Sequence, residues 1–187
     1  IGGGSKGRNK VIGAVAGAAV GGAIGYSMDK QAKEVADSLN TNVNNNPNAA
    51  LDPNQDLIVS NTDNYVKIMF RDDMMFETNS ANPTPRASSK IAKINGVLQK
   101  YPNTLVQVVG HTDSRGTHAY NANLSNQRAT NVGNIIFNSG VQNQIFSRGC
   151  SFDKPVALNN SDANMGLNRR VEVYLYPNQE SVIDVCK

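Results

Sequence analysis

Leu105-Val106-Gln107-Val108-Val109-Gly110-His111-Thr112-Asp113-Ser114-Arg115-Gly116, followed by Tyr120-Asn121 and then Leu124-Ser125-Asn126-Gln127-Arg128-Ala129, decides how this chain folds. The β-branched run Leu105–Val109 reads as a central strand, His111 to Gly116 as a polar loop, and Tyr120 to Asn138 as a helix. Leu124, Val132, Ile135 and Ile136 mark that helix's inner side, and Gly140 is placed to stop it. Asp113 therefore falls just beyond a strand end, where side chains of an α/β sheet commonly meet ligands.

Working outward, Leu57–Val59 and Tyr65–Phe70 look like strands, with Val66, Ile68 and Phe70 on one face. Pro85 to Lys100 reads as a helix, because Ile91, Ile94, Val97 and Leu98 recur at i, i+3, i+6 and i+7. Ile145–Cys150 and Arg169–Tyr176 look like the last two strands. The resulting order, strand–helix–strand–helix–strand–strand, implies an α/β sandwich with two helices over a mixed sheet. The globular domain is expected to span 57–187, behind an Asn- and Pro-rich linker at 40–56.

Residues 1–39 differ in kind. After Lys6, Arg8 and Lys10 comes an uncharged stretch from Val11 to Gly25 in which Gly13, Gly17, Gly21 and Gly25 recur at a four-residue step. At helical pitch these glycines share one slowly drifting face, and glycine there costs about 1 kcal/mol relative to alanine. The repetition makes sense where another backbone packs closely, as at small-residue interfaces in lipid. The stretch would span about 22 Å, short of the roughly 30 Å hydrocarbon core. It is expected to be a membrane-associated helix; the plain alternative is a disordered Gly/Ala linker. It does not read as a secretory signal peptide, since no cleavage site is visible, and Ile1-Gly2-Gly3-Gly4 reads as the remnant of a longer N-terminus.

The chain has 187 residues and a formal charge of +3, with scattered cations and no Trp. That pattern argues against nucleic acid, which calls for clustered cations and aromatic stacking partners. Cys150 and Cys186 form no zinc spacing, and no metal or cofactor is expected. In a reducing compartment they would be two ordinary thiols. In an oxidising one they would close a loop of about 37 residues, worth roughly 3–4 kcal/mol on the chain-entropy model.

Asn121, Leu124 and Arg128 lie on one helical stripe about 10 Å from end to end. A guanidinium holds a carboxylate by two parallel hydrogen bonds, and the Asp113 carboxylate accepts from an ammonium. Together they suit a zwitterionic, amino-acid-like head group. The plain alternative is a structural Asp113–Arg128 salt bridge closing loop onto helix, worth below ~1 kcal/mol at a surface. An enzyme is disfavoured: His111, Asp113, Ser114 and His118 include the residue types of a triad or a facial metal site, but all lie within one short segment.

These motifs, with Asn168-Arg169-Arg170-Val171-Glu172-Val173, Phe76-Glu77 and Lys154-Pro155-Val156, resemble the signature of the OmpA-like peptidoglycan-binding domain over roughly residues 57–177. The glycine-rich segment is similar to the zipper of YiaD-type outer-membrane lipoproteins, which place it before this same domain. The resemblance implies a non-catalytic domain that grips meso-diaminopimelate of the peptidoglycan stem peptide and tethers the outer membrane to the wall from its periplasmic face. By that analogy Asp113 would pair with the diaminopimelate ammonium and Arg128 with its carboxylate. Thr112, Asn121 and Leu124 would line the pocket, Arg169 rather than Arg170 would reach the ligand, and backbone groups around Phe76-Glu77 would close one side. The outer membrane, zipper-mediated self-association and envelope-complex proteins are the further partners implied. A different role is a structural subunit of an envelope-spanning secretion or motility machine, in which the domain serves mainly for docking. Arg71-Asp72-Asp73-Met74-Met75 departs from the family pattern, either extending the first strand or reshaping the pocket rim. The cysteine pair is also outside the signature; it fits a periplasmic setting.

Overall fold

One mixed sheet organises the chain, in a computed structural model that describes residues 19–187, with side chains of the first helix from residue 23. The elements are α1 (Ala19–Ser38), β1 (Leu57–Asn61), β2 (Val66–Arg71), α2 (Asp72–Met75), α3 (Pro85–Ala92), α4 (Asn95–Lys100), β3 (Leu105–His111), α5 (His118–Asn138), β4 (Ile145–Gly149), α6 (Asp162–Asn168) and β5 (Arg170–Tyr176). The sheet order is β1-β2-β5-β3-β4. β3 runs parallel to β4 and antiparallel to β5, and the other pairings are antiparallel. The parallel pair needs a crossover, which α5 supplies.

Strand alternation divides the sheet. Val66, Ile68, Phe70, Val106, Val108, Val171, Val173 and Leu175 enter the main core with Ile91, Leu98, Val132 and Ile136 from the helices. The opposite face carries Tyr174, Tyr176 and Val109, covered by Val182 and Val185 of the C-terminal tail.

The expected α/β sandwich is present, with local differences. The helix expected over 85–100 is two: Thr84 caps α3, its side chain accepting from the Ala87 amide at 3.2 Å, and the chain kinks at Lys93-Ile94 before Asn95-Gly96, a weak helical pair. Within Arg71–Met75, Arg71 ends β2, and residues 72–75 form the single turn α2, which sets Asp72 and Asp73 on the pocket and delivers Met75 and Phe76 into the core. α6, which the apolar pattern did not signal, is capped by Ser161.

The folded body also begins well before Leu57. Met28, Ala32, Val35 and Ala36 form a stripe along α1 that Leu39 continues just past its end, each at most 1% exposed. They join the main core, and Gln31 accepts from the Thr104 hydroxyl at 3.1 Å. The segment expected as a linker is ordered too. Val43 bridges Val59, and Ala49 and Ala50 pack on Ile58 and Met69. Gly13 and Gly17 of the zipper lie outside the described residues. Among those described, no helix is long and apolar enough to cross a membrane.

Cys150 and Cys186 are joined, with Cα atoms 5.2 Å apart, fastening the tail across the outer face of the sheet. Replacing both by serine is expected to lower stability by about 2–4 kcal/mol. Urea unfolding of the variant beside wild type, each with and without reductant, checks this: the reductant should shift only the wild type.

Candidate ligand-binding pocket

Two glycines bring the helix onto the strand ends. A Cβ on Gly110 would sit 2.3 Å from the Ser125 carbonyl oxygen, and one on Gly149 would sit 2.3 Å from the Asn126 amide nitrogen. The backbone of α5 therefore lies directly against the C-terminal ends of β3 and β4, setting Asn121, Leu124 and Arg128 beside the loop that carries Thr112 and Asp113. Thr117 caps that helix through the Tyr120 amide at 3.0 Å, so α5 starts at His118.

These elements enclose a cavity of about 420 Å³. Of the residues singled out in the sequence, Thr112, Asp113, Asn121, Leu124, Arg128 and Arg169 line it. Phe76 is buried beneath it, its ring centroid 4.5 Å from the Arg128 guanidinium carbon. Glu77 is exposed and does not line it; Thr78 and Asn79 do. Phe76 takes the inward position and leaves its neighbour to face outward.

The charges alternate around the cavity. One oxygen of Asp113 accepts from the Arg115 backbone amide at 2.9 Å, and the other from Arg115 Nη2 and Arg169 Nη1, both at 2.8 Å. Burial alone would raise the Asp113 pKa, but the Arg115 and Arg169 hydrogen bonds outweigh it and hold the carboxyl below its ordinary value. Arg128 donates from Nε to the Ser80 carbonyl at 2.9 Å, and its Nη1 forms an ion pair with Asp72 at 2.5 Å. Arg169 Nε lies 3.7 Å from the other Asp72 oxygen. The series is thus Arg115, Asp113, Arg169, Asp72, Arg128. Asp113 and Arg128 do not pair with each other, so the simple salt bridge between them does not form.

Asn121 Nδ2 donates to the Arg115 and Thr117 carbonyls at 2.7 and 3.0 Å, pinning the loop to the helix. The Thr112 hydroxyl donates to the Asp113 carbonyl at 2.9 Å, and its amide to the Ser151 carbonyl at 2.9 Å. Sequence reasoning had no role for Asp72 or for Arg115. Asp72 could have been flagged by its place directly after β2, four residues before Phe76.

The histidines lie apart from this pocket. His118 is exposed, 2.9 Å from Asp153. His111 is buried on the outer face, its Nε2 3.2 Å from Glu172. Among the described residues, no group of His, Cys, Asp and Glu is arranged to hold a metal. Glu172 also receives Arg170 Nε at 3.0 Å and the Tyr174 hydroxyl at 3.1 Å. Burial would raise the Glu172 pKa, but Arg170 and His111 carry it well below the ordinary value, and burial pushes His111 down. Both lowered values give stability that is lost as pH falls. The His111 share goes as pH drops below the unfolded value near 6.5, and the Glu172 share below about 4.5. Melting temperature is therefore expected to decline from pH 7.5 to 4.5, and His111→Gln, which retains a donor for Glu172, should flatten the upper part of that decline.

Comparison with known proteins agrees with this architecture. The chain is 37% identical over 103 residues to the probable lipoprotein YiaD of Escherichia coli, covering 54% of this chain and 47% of that protein. It is 38% identical over 90 residues to the peptidoglycan-associated lipoprotein of Buchnera aphidicola, covering 46% of this chain and 52% of that one. The chain thus spans about half the length of these relatives, and neither carries an enzyme's name. Among solved structures, the cell wall anchor of the T6SS from Pseudomonas aeruginosa superposes with a TM-score of 0.60 at 28% identity, covering 67% of this chain and 90% of that one. The OmpA family matches residues 75–169, over half of the sequence and every residue lining the pocket except Asp72 and Asp73, and the chain belongs to that family.

Proposed function

We propose that this pocket binds the zwitterionic end of diaminopimelate in the peptidoglycan stem peptide, and that the protein tethers the outer membrane to the wall from the periplasmic side. The alternation of carboxylates and guanidiniums around one cavity carries the reading. An ammonium replaces an arginine donor at Asp113, and the neighbouring carboxylate finds guanidiniums at Arg128 and Arg169. Thr112, Asn121 and Leu124 shape the pocket. Phe76 supports Arg128 from below, and the chain at Phe76-Glu77 leads into the Thr78-Asn79 rim. No chemical step is involved. The peptidoglycan-associated lipoprotein and the wall anchor among its relatives support the ligand class.

Sedimentation of the full chain with insoluble peptidoglycan sacculi tests it. The protein should pellet with sacculi, and free diaminopimelate should release it. The similarity to an anchor of a secretion system favours a second reading, assembly into an envelope machine. A folded wild type that stays in the supernatant would favour that reading, with the pocket serving as a docking surface.

A further inference from the structure

We propose that Asp72 is an internal competitor for the ligand: its carboxylate occupies Arg128 in the empty pocket, and the ligand's carboxylate must displace it. This inference rests on the reading of the pocket as a diaminopimelate site.

Asp72 is 6% exposed, at the start of α2, and its backbone amide is held by the Arg169 carbonyl at 3.0 Å. Its side chain lies between the two guanidiniums that a ligand carboxylate would use, paired to Arg128 and 3.7 Å from Arg169. Arg128 cannot turn elsewhere: Nε is committed to Ser80, and the guanidinium is seated over Phe76. A ligand carboxylate therefore meets Arg128 where Asp72 already is.

The occupant is also displaceable. The Asp72 oxygen nearest Arg128 receives no aligned hydrogen bond despite its burial, so the contact is charge against charge without the paired geometry of a carboxylate fork. Burial raises the pKa of Asp72, and Arg128 and Arg169 offset this only in part. A free carboxylate able to meet the guanidinium N–H groups in their own plane would gain the alignment that the short α2 turn denies Asp72. The consequence is selectivity: a ligand with only an ammonium at this end gains nothing at Arg128, and Asp72 keeps its place.

Calorimetric titration of the full chain with two stem tripeptides separates the possibilities, one ending in diaminopimelate and one with lysine in its place, which lacks the second carboxylate. Asp72→Asn is expected to tighten binding of the diaminopimelate peptide about tenfold, the effect of one charge-assisted contact no longer contested, and to leave the lysine peptide unchanged. Asp72→Ser should act in the same direction, covering the case in which the buried amide disturbs folding. Asp37→Asn, an exposed carboxylate on α1 away from the cavity, should change affinity less than about twofold, as expected of a screened surface charge. Unchanged or weaker diaminopimelate binding in both Asp72 variants would overturn the proposal, making Asp72 a support that orients Arg128. Equal tightening of both peptides would overturn it too, since the gain would not come from the carboxylate. If neither wild type nor variants bind either peptide, the pocket assignment itself falls. Binding by the variants alone would support both, with wild type fully self-occupied.

Discussion

Replacing Asp113 by alanine is expected to abolish retention on sacculi while leaving the melting temperature within about 2–4 °C of wild type. The arginines that Asp113 releases, Arg115 and Arg169, have side chains 60% and 24% exposed, so water can take over their solvation. The stability cost should stay near ~1 kcal/mol. Arg128 behaves differently. Its side chain is 5% exposed and faces the Asp72 carboxylate, itself 9% exposed. Arg128→Ala removes the nearer of two cations from a buried carboxylate, and breaking such a pair costs about 3–5 kcal/mol. Loss of binding in that variant would confuse ligand contact with folding. The informative pair is Asp113→Ala beside Arg128→Lys, measured by sacculus sedimentation and thermal melting together. Asp113→Ala that remains on sacculi, or that fails to fold, would remove the carboxylate from the ligand-binding role.

The second large effect concerns α1. A chain begun at Asn40 loses Met28, Val35 and Leu39 from the core, all at most 1% exposed. At ~1.5–3 kcal/mol for each large apolar side chain, the loss is on the order of 5–9 kcal/mol. That is comparable to the roughly 5–15 kcal/mol net stability of a typical domain. The truncated chain should show no cooperative urea transition, while one begun at Ala23, keeping the whole buried stripe, should melt as the full chain does. A cooperative transition from the Asn40 chain would mean that the sheet and the remaining helices suffice.

Much of the fold was legible because its signals are local. Val66, Ile68 and Phe70 alternate, as do Val171, Val173 and Leu175, and period-two patterning survives into the folded state because the sheet buries one face against helices. Asn121, Leu124 and Arg128 were readable as a stripe because helical spacing places them before any tertiary contact forms. Partner choice was not readable. Nothing in the spacing says that Arg128 meets Asp72 and Asp113 meets Arg169, since those pairs join α5 to α2 and the loop after β3 to the residue before β5. The stripe Met28, Ala32, Val35 and Leu39 was present at the right period, but the glycine-rich run before it and the Asn-rich run after it drew the boundary elsewhere. α6 escaped because its roughly two turns, Asp162–Asn168, contain a glycine and bury little beyond Leu167 and Asn168.

One feature of α1 bears on how load would pass through the molecule. From Ala19 to Ser38 it is a single helix of 20 residues, yet its fully buried side chains begin only at Met28. The turn before Met28 continues the same rod, with Ile24 still packed at the edge of the core and Tyr26 exposed, and no joint intervenes. A pull applied along that turn would run parallel to the seat of α1 on the sheet. It would load Met28, Ala32, Val35 and Leu39 together, in shear, and would not peel them off one at a time. The helix would then work as a stiff mast, and the direction in which it leaves the domain would set which way the pocket faces.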